Sequence, residues 1–343
     1  MTSRPNPGCR AITNDIIRAA AAMTKIPRVP APPFIPDPGR PAELPLDDMH
    51  LRLEEAIEKL SPPRVRHACR SALNHLRKAW TLHPIDAEMS LFRAITAEEE
   101  AATAVIRALN VRKYPNAERL KERQHPHKAA IWPFMTAIAD KLAEKNIAMP
   151  TLSLRVEGAP RIELSLDIAE QAGLDQPFWG TPDEPFNWTF WSDRTGPFKP
   201  HDFSEELAAL ASEKGARDIE AYILDEANRR NQLLYASDQG IPSVAFADSL
   251  LIGRRQRVTV MLVVTIAILQ TKIHQLFLVQ CLDALLRTIA RFDGDPLDMP
   301  TLDLTVPRLE LAEQPDGSMK ASIVQPVTGY GFRYSIPPRG KKD

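Results

Sequence analysis

The chain carries one short sequence twice, and this feature limits its fold more than any other. Residues 149–164 read Met-Pro-Thr-Leu-Ser-Leu-Arg-Val, then Glu-Gly-Ala, then Pro-Arg-Ile-Glu-Leu. Residues 299–311 read Met-Pro-Thr-Leu-Asp-Leu-Thr-Val-Pro-Arg-Leu-Glu-Leu. With one three-residue gap, ten of thirteen aligned positions are identical. Identity of that degree implies a tandem duplication. Within the first copy Leu152, Leu154 and Val156 alternate, as do Ile162, Leu164 and Leu166, with Gly158 between the two runs. That is the period of two short strands joined by a turn.

Helical periodicity precedes each copy. Residues 63–82 place Val65, Ala68, Cys69, Ala72, Leu73, Leu76, Ala79 and Trp80 on one face. Pro62 and Pro63 open this helix, where a missing N–H costs little, and Pro84 closes it. A second helix is expected over 86–109 with Asp86 as its N-cap, and a third over 127–145 after the break at Tyr114-Pro115-Asn116. In the second half, helices are expected over 204–213 and 216–236, followed by one long apolar helix over 256–291. Strands are expected over 319–326 and 329–336, beyond the turn signal Pro315-Asp-Gly-Ser318. The expected fold class is mainly α with small β elements, an α+β chain built as a tandem duplication of a helices-then-β-strands unit.

The expected organisation has five parts. Residues 1–47 hold all ten prolines found in the first fifty positions and read as an extended or disordered arm. Residues 48–170 form the first helical unit with its β-hairpin. Residues 171–203 are an aromatic, Pro-rich connector, 204–338 the second helical unit with its strands, and 339–343 a tail.

Several function classes lose support at this point. A net charge of −1 argues against broad electrostatic binding to nucleic acid or anionic membrane. The apolar run Val258–Leu269 is twelve residues long and is followed by Gln270, Thr271, Lys272, His274 and Gln275, whereas a membrane span needs roughly 20 apolar residues. Cys9, Cys69 and Cys281 are too few and too far apart for a zinc spacing or a disulfide framework, which makes a cytoplasmic location the expectation. The N-terminal residues hold no secretory signal pattern. The motifs of phosphate loops, nucleophile elbows and zinc helices are missing from the sequence, and no cofactor or metal is implied.

Three segments carry candidate chemistry. The run Glu98-Glu99-Glu100 lies on the 86–109 helix, with Glu98 and Glu99 at the two edges of its apolar stripe. A carboxylate there is paired, protonated or beside a cavity, because an isolated buried charge is expensive. Glu226 and Arg230 lie on the apolar stripe of a second-half helix in the same way. Two readings stay open: an internal salt-bridge network, or a carboxylate facing a site between helices. The segment Arg119-Leu-Lys-Glu-Arg123-Gln-His125-Pro-His127-Lys128 gathers cations and two histidines before a helix start, where a phosphate could bind. The alternative is a solvated polar connector. Finally, Phe178, Trp179, Phe186, Trp188, Phe190, Trp191 and Phe198 crowd the connector. Trp179, Trp188 and Trp191 either line a ligand pocket or staple the connector to the core, and Arg123 and His127 are the ligand-binding candidates of the cationic segment.

The helical segment with acidic residues on one helix and Arg119-x5-His125 before a later one resembles the HEPN domains, over about residues 50–147. The resemblance implies a metal-independent endoribonuclease of a toxin or phage-defence system. In it His125 would act as base toward a ribose 2′-hydroxyl, Arg119 would hold the phosphate, and Glu98 or Glu99 would be the acidic partner. The motif has little specificity: four Arg-x4-6-His spacings occur in the chain. Leu120 also stands where the family has a polar residue, and the second half offers Arg254-Arg-Gln-Arg257 at a comparable place without a nearby histidine. The leading expectation is a soluble intracellular binding or assembly module, self-associating or taking a protein partner and not acting on membranes. A HEPN-like ribonuclease acting on RNA is the alternative, and a ligand sensor built on the inter-helix carboxylates is the third reading.

Overall fold

The computed structural model describes residues 46–144, 151–153, 161–164, 166–167, 179–190, 201–235, 244, 247–293, 308–313, 319–324 and 329–335. The Pro-rich arm up to residue 45, Trp191 and the 339–343 tail lie outside these residues. Within them the chain is mostly helical, with α1 (Asp48–Leu60), α2 (Pro63–Leu82), α3 (Ala87–Val111), α4 (His125–Glu144), α5 (Ser204–Glu213), α6 (Ile219–Leu234), α7 (Ala247–Leu269) and α8 (Leu276–Asp293).

Local chemistry sets the helix ends. Pro63 opens α2 at its first position. The carboxylate of Asp86 accepts the Met89 N–H at 2.8 Å to start α3, and Asp218 accepts the Ala221 N–H at 2.8 Å to start α6. At α1, Asp47 and His50 form a reciprocal capping box. The apolar face expected for α2 is buried from Val65 through Ala79.

Helix α3 is the centre of the molecule. Its buried positions include Ala94, Ala97, Ala101, Ala102, Ala104 and Ala108, and side chains this small let neighbouring helices approach closely. It packs chiefly against α2 on one side and α7 on the other. Helix α7 is buried over most of its surface from Arg257 to Leu269, and packs against α1, α2, α3 and strand β2 of the same chain. No helix among the described residues is long and apolar enough to cross a membrane.

The expected single helix over 256–291 is two helices, and α7 begins earlier, at Ala247. The break lies at 270–275, where polar side chains take up backbone groups that a continuous helix would leave elsewhere. Gln275 accepts the Phe186 N–H at 2.8 Å and donates to the Ala267 carbonyl at 2.8 Å, while its own N–H donates to the Tyr114 hydroxyl at 3.0 Å. Gln270 accepts from the Ile162 N–H at 2.9 Å and donates to the Ile162 carbonyl at 3.2 Å. Gln280 on α8 treats Phe190 in the same way, at 3.0 and 2.7 Å. The Gln270 and Gln280 amides pair with the backbone of one residue as a strand would, and Gln275 ties Phe186 to the end of α7.

Strands β1 (Thr151–Ser153) and β2 (Arg161–Glu163) form an antiparallel pair, with Leu152 opposite Ile162. A five-stranded sheet runs β3 (Leu166–Asp167), β4 (Trp179–Pro182), β7 (Gly329–Ser335), β6 (Met319–Val324), β5 (Arg308–Glu313). Strand β4 of the connector therefore joins strands from both halves in one sheet. The two copies of the repeated motif pair differently. Arg161, Ile162 and Glu163 return onto their own Thr-Leu-Ser, whereas Arg308, Leu309 and Glu310 pair with β6. The expected duplication therefore has the sequence identity behind it, and the described residues of the two copies do not share a pairing.

Replacing Gln275 with leucine leaves a buried N–H and a buried carbonyl without partners, and we expect a loss of roughly 2–4 kcal/mol in urea unfolding. A loss below about 1 kcal/mol would show that the amide does not hold the connector.

Candidate functional site

Glu98 and Glu99 point to different partners from adjacent positions on α3. Glu98 meets two arginines of α7: Arg254 pairs with its Oε2, and Arg257 lies 3.4 Å from its Oε1. Glu226 of α6 completes the group at 3.5 Å from Arg257, 3.7 Å from Arg254 and 2.9 Å from Arg229. The side chains of Glu98, Arg254, Arg257 and Glu226 are 12%, 7%, 7% and 5% exposed, so all four are largely removed from water. Arg257 also lies 5.3 Å over the Trp132 ring. The network joins α3 of the first half to α6 and α7 of the second.

Burial opposes the charged form of Glu226, and Arg229, Arg254 and Arg257 together more than offset it, holding its pKa below the ordinary 4.5. Burial likewise opposes the charge on Arg254, and Glu98 and Glu226 more than offset it, raising its pKa. Each charge is retained because its partners are present. At Glu98 the structure places an internal network of ion pairs.

Glu99 faces the opening of α4. Its Oε1 is 2.9 Å from His125 Nδ1, and its Oε2 is 3.3 Å from Lys128 and 3.5 Å from Arg230. Arg230 also lies 5.8 Å from the Phe92 ring centre. The cationic segment before α4 does not converge on one point. Arg119 sits in a short turn, Ala117–Arg119, with its side chain exposed and in no hydrogen bond or ion pair within the described residues. Arg123 is exposed, His127 is buried with its Nδ1 accepting the Lys121 N–H at 3.1 Å, and Leu120 is buried in the core. No group of three or more His, Cys, Asp or Glu side chains among the described residues is arranged to hold a metal ion.

The described part of the aromatic connector is stapled to the core. Trp188 stacks on Phe277 with ring centres 4.0 Å apart and donates its indole N–H to the Pro185 carbonyl at 3.0 Å. Phe186 and Phe203 also lie against Phe277. Trp179 is in β4, where its backbone pairs with Asp167 and Ser335.

Beside the network lies an apolar cavity of about 540 Å³ between α1, α3, α4, α7 and α8. Its wall includes Val105, Phe134, Ile138, Val263, Phe277 and Leu282, and its polar lining residues are Asp47, His50, Arg255, Gln256 and Thr259. His50 joins the two elements that carry these polar residues: Nδ1 is 2.7 Å from Asp47 and Nε2 is 2.9 Å from Thr259 Oγ1. Burial lowers the His50 pKa from its ordinary value, against the opposing pull of Asp47. Sequence reasoning did not single out this group. Its faint signals were the Asp47-x2-His50 capping pattern at the start of α1 and the polar run Arg254–Arg257 at the head of an otherwise apolar helix.

Comparison with protein-family models, curated proteins and solved structures found no match.

A carboxylate held below its ordinary value contributes stability above that value and loses it as pH falls through the folded-state pKa. We therefore expect stability to fall as pH drops below about 4.5, with Glu226 contributing to the slope. Replacing Glu226 with glutamine should cost roughly 3–5 kcal/mol at neutral pH and flatten that acid limb, as read by urea unfolding across the pH range. An unchanged acid limb would show that Glu226 is not charged in the fold.

Proposed function

We propose that the chain is a binding module whose site is the apolar cavity between α1, α3, α4, α7 and α8. The carrying observation is the cavity: about 540 Å³, apolar along its wall, with hydrogen-bonding side chains from α1 and α7. Pockets of about 300–1,000 Å³ with that distribution suit small organic ligands. The neighbouring carboxylates support the reading by being occupied, since Glu98 and Glu226 are already paired with arginines. Cover for α7 comes from helices of its own chain, so its apolarity gives self-association little support and shifts the weight from assembly to ligand binding.

The test uses N-phenyl-1-naphthylamine, a neutral apolar fluorophore, with the full chain. Micromolar binding is expected. Ala139→Phe, which projects a ring from the buried Ala139 into the cavity, should weaken it at least tenfold, or by about 1.4 kcal/mol, while the melting temperature is kept. Absence of binding, or binding indifferent to Ala139→Phe, would refute the reading.

One contact favours the ribonuclease reading: Glu99 and His125 form an acid–histidine pair with His125 partly open to solvent. Arg119, the proposed phosphate ligand, is exposed. We expect RNA incubated without metal to remain intact with the wild-type chain and with His125→Ala. Cleavage lost on that substitution would replace the binding-module reading.

A further inference from the structure

The polar lining indicates what kind of ligand the cavity prefers. Its charged side chains are Asp47 and Arg255, of opposite sign and near enough for each to act on His50. His50 is engaged through both ring nitrogens, by Asp47 and Thr259, and presents neither to a ligand. The lining therefore offers neither a spare cation for an anionic head nor a spare carboxylate for a cationic one. An ionic head would meet no unpaired opposite charge among these side chains.

Gln256 differs from its neighbours. His50, Thr259, Asp47 and Arg255 all have partners: His50 bridges Asp47 and Thr259, Thr259 donates to the Arg255 carbonyl at 2.8 Å, and Arg255 has interactions of its own. The Gln256 side chain lines the cavity and makes no hydrogen bond within the described residues. A primary amide presents two donors and one acceptor oxygen. It is complementary to a group that both donates and accepts, such as a hydroxyl or another amide. Gln256 and Thr259 are three positions apart on α7, a spacing that sets them on one helix face.

We propose that the cavity takes a neutral amphipathic molecule, an apolar chain or ring system ending in one hydroxyl or amide, with that end at Gln256 and the apolar part among Phe134, Val263, Phe277 and Leu282. The assignment rests on the cavity being a ligand site. It adds the head group and its charge.

The experiment is displacement of bound N-phenyl-1-naphthylamine from the full chain at pH 7.5 by decan-1-ol, decanoate and decylammonium, which share a tail and differ in head. Decan-1-ol is expected to displace the probe at a concentration at least about tenfold lower than either ion. Gln256→Leu is expected to lower the affinity of decan-1-ol relative to that of the probe, each measured on the same variant, by roughly three- to tenfold through the lost hydrogen bond. Gln256→Asn separates a lost hydrogen bond from disturbed packing, since it keeps the amide and should retain part of the preference. Equal or better displacement by decanoate or decylammonium overturns the head-group assignment and leaves the ligand site standing. A decan-1-ol affinity unchanged relative to that of the probe in Gln256→Leu overturns the role of Gln256. Failure of the probe to bind the wild type sinks the site itself and this assignment with it.

Discussion

The pairing of Glu98 and Glu226 with Arg254 and Arg257 is the interaction on which the helical arrangement depends. Each of these charges lies where a core residue would otherwise be, and none could stay ionised there alone. Removing both partners and repacking with apolar side chains is often neutral for a protein, but removing one leaves the other uncompensated. The network therefore acts less as a source of net stability than as a condition on geometry. Helices α3, α6 and α7 keep their register because another register would separate buried charges.

That condition positions the cavity. Arg254 and Arg257 are turned toward α3 and α6, while Arg255, Gln256, Thr259 and Val263 of the same helix line the cavity. One helix thus carries an ionic face for assembly of the core and a second face for a ligand. The glutamines at the α7–α8 break add a further constraint. Gln275 and Gln280 hold Phe186 and Phe190 by their backbones, and Phe186 and Phe277 form part of the cavity wall. The aromatic connector contributes to the wall because it is fixed to the core.

Sequence patterns disclosed what is local. The buried face of α2, the Asp86 cap of α3 and the break after α3 all follow from residues within a few positions of one another. The Glu98–Glu99 anomaly was also readable, because a carboxylate at the edge of an apolar stripe is conspicuous. Its partners were not, since Arg254 lies 156 positions away along the chain. The α7–α8 break was visible as polar residues interrupting an apolar run, yet periodicity reports which face is buried and not whether the helix continues. The strand pairing of the repeated motif could not be inferred from its identity, because pairing depends on neighbours outside the motif. The cavity left the weakest trace, as an empty volume belongs to how several helices fail to meet and to no residue by itself.

The most direct test of the account is a double-mutant cycle between Glu98 and Arg254, built from Glu98→Gln, Arg254→Met and the double variant, with unfolding free energy as the readout. If the carboxylate is a structural member of a buried network, the pair should couple by at least about 1.5 kcal/mol, and the double variant should be no less stable than the weaker single one. Coupling within about 0.5 kcal/mol of zero would contradict the account, because it would mean that Glu98 is held at the helix interface for a purpose other than its arginine.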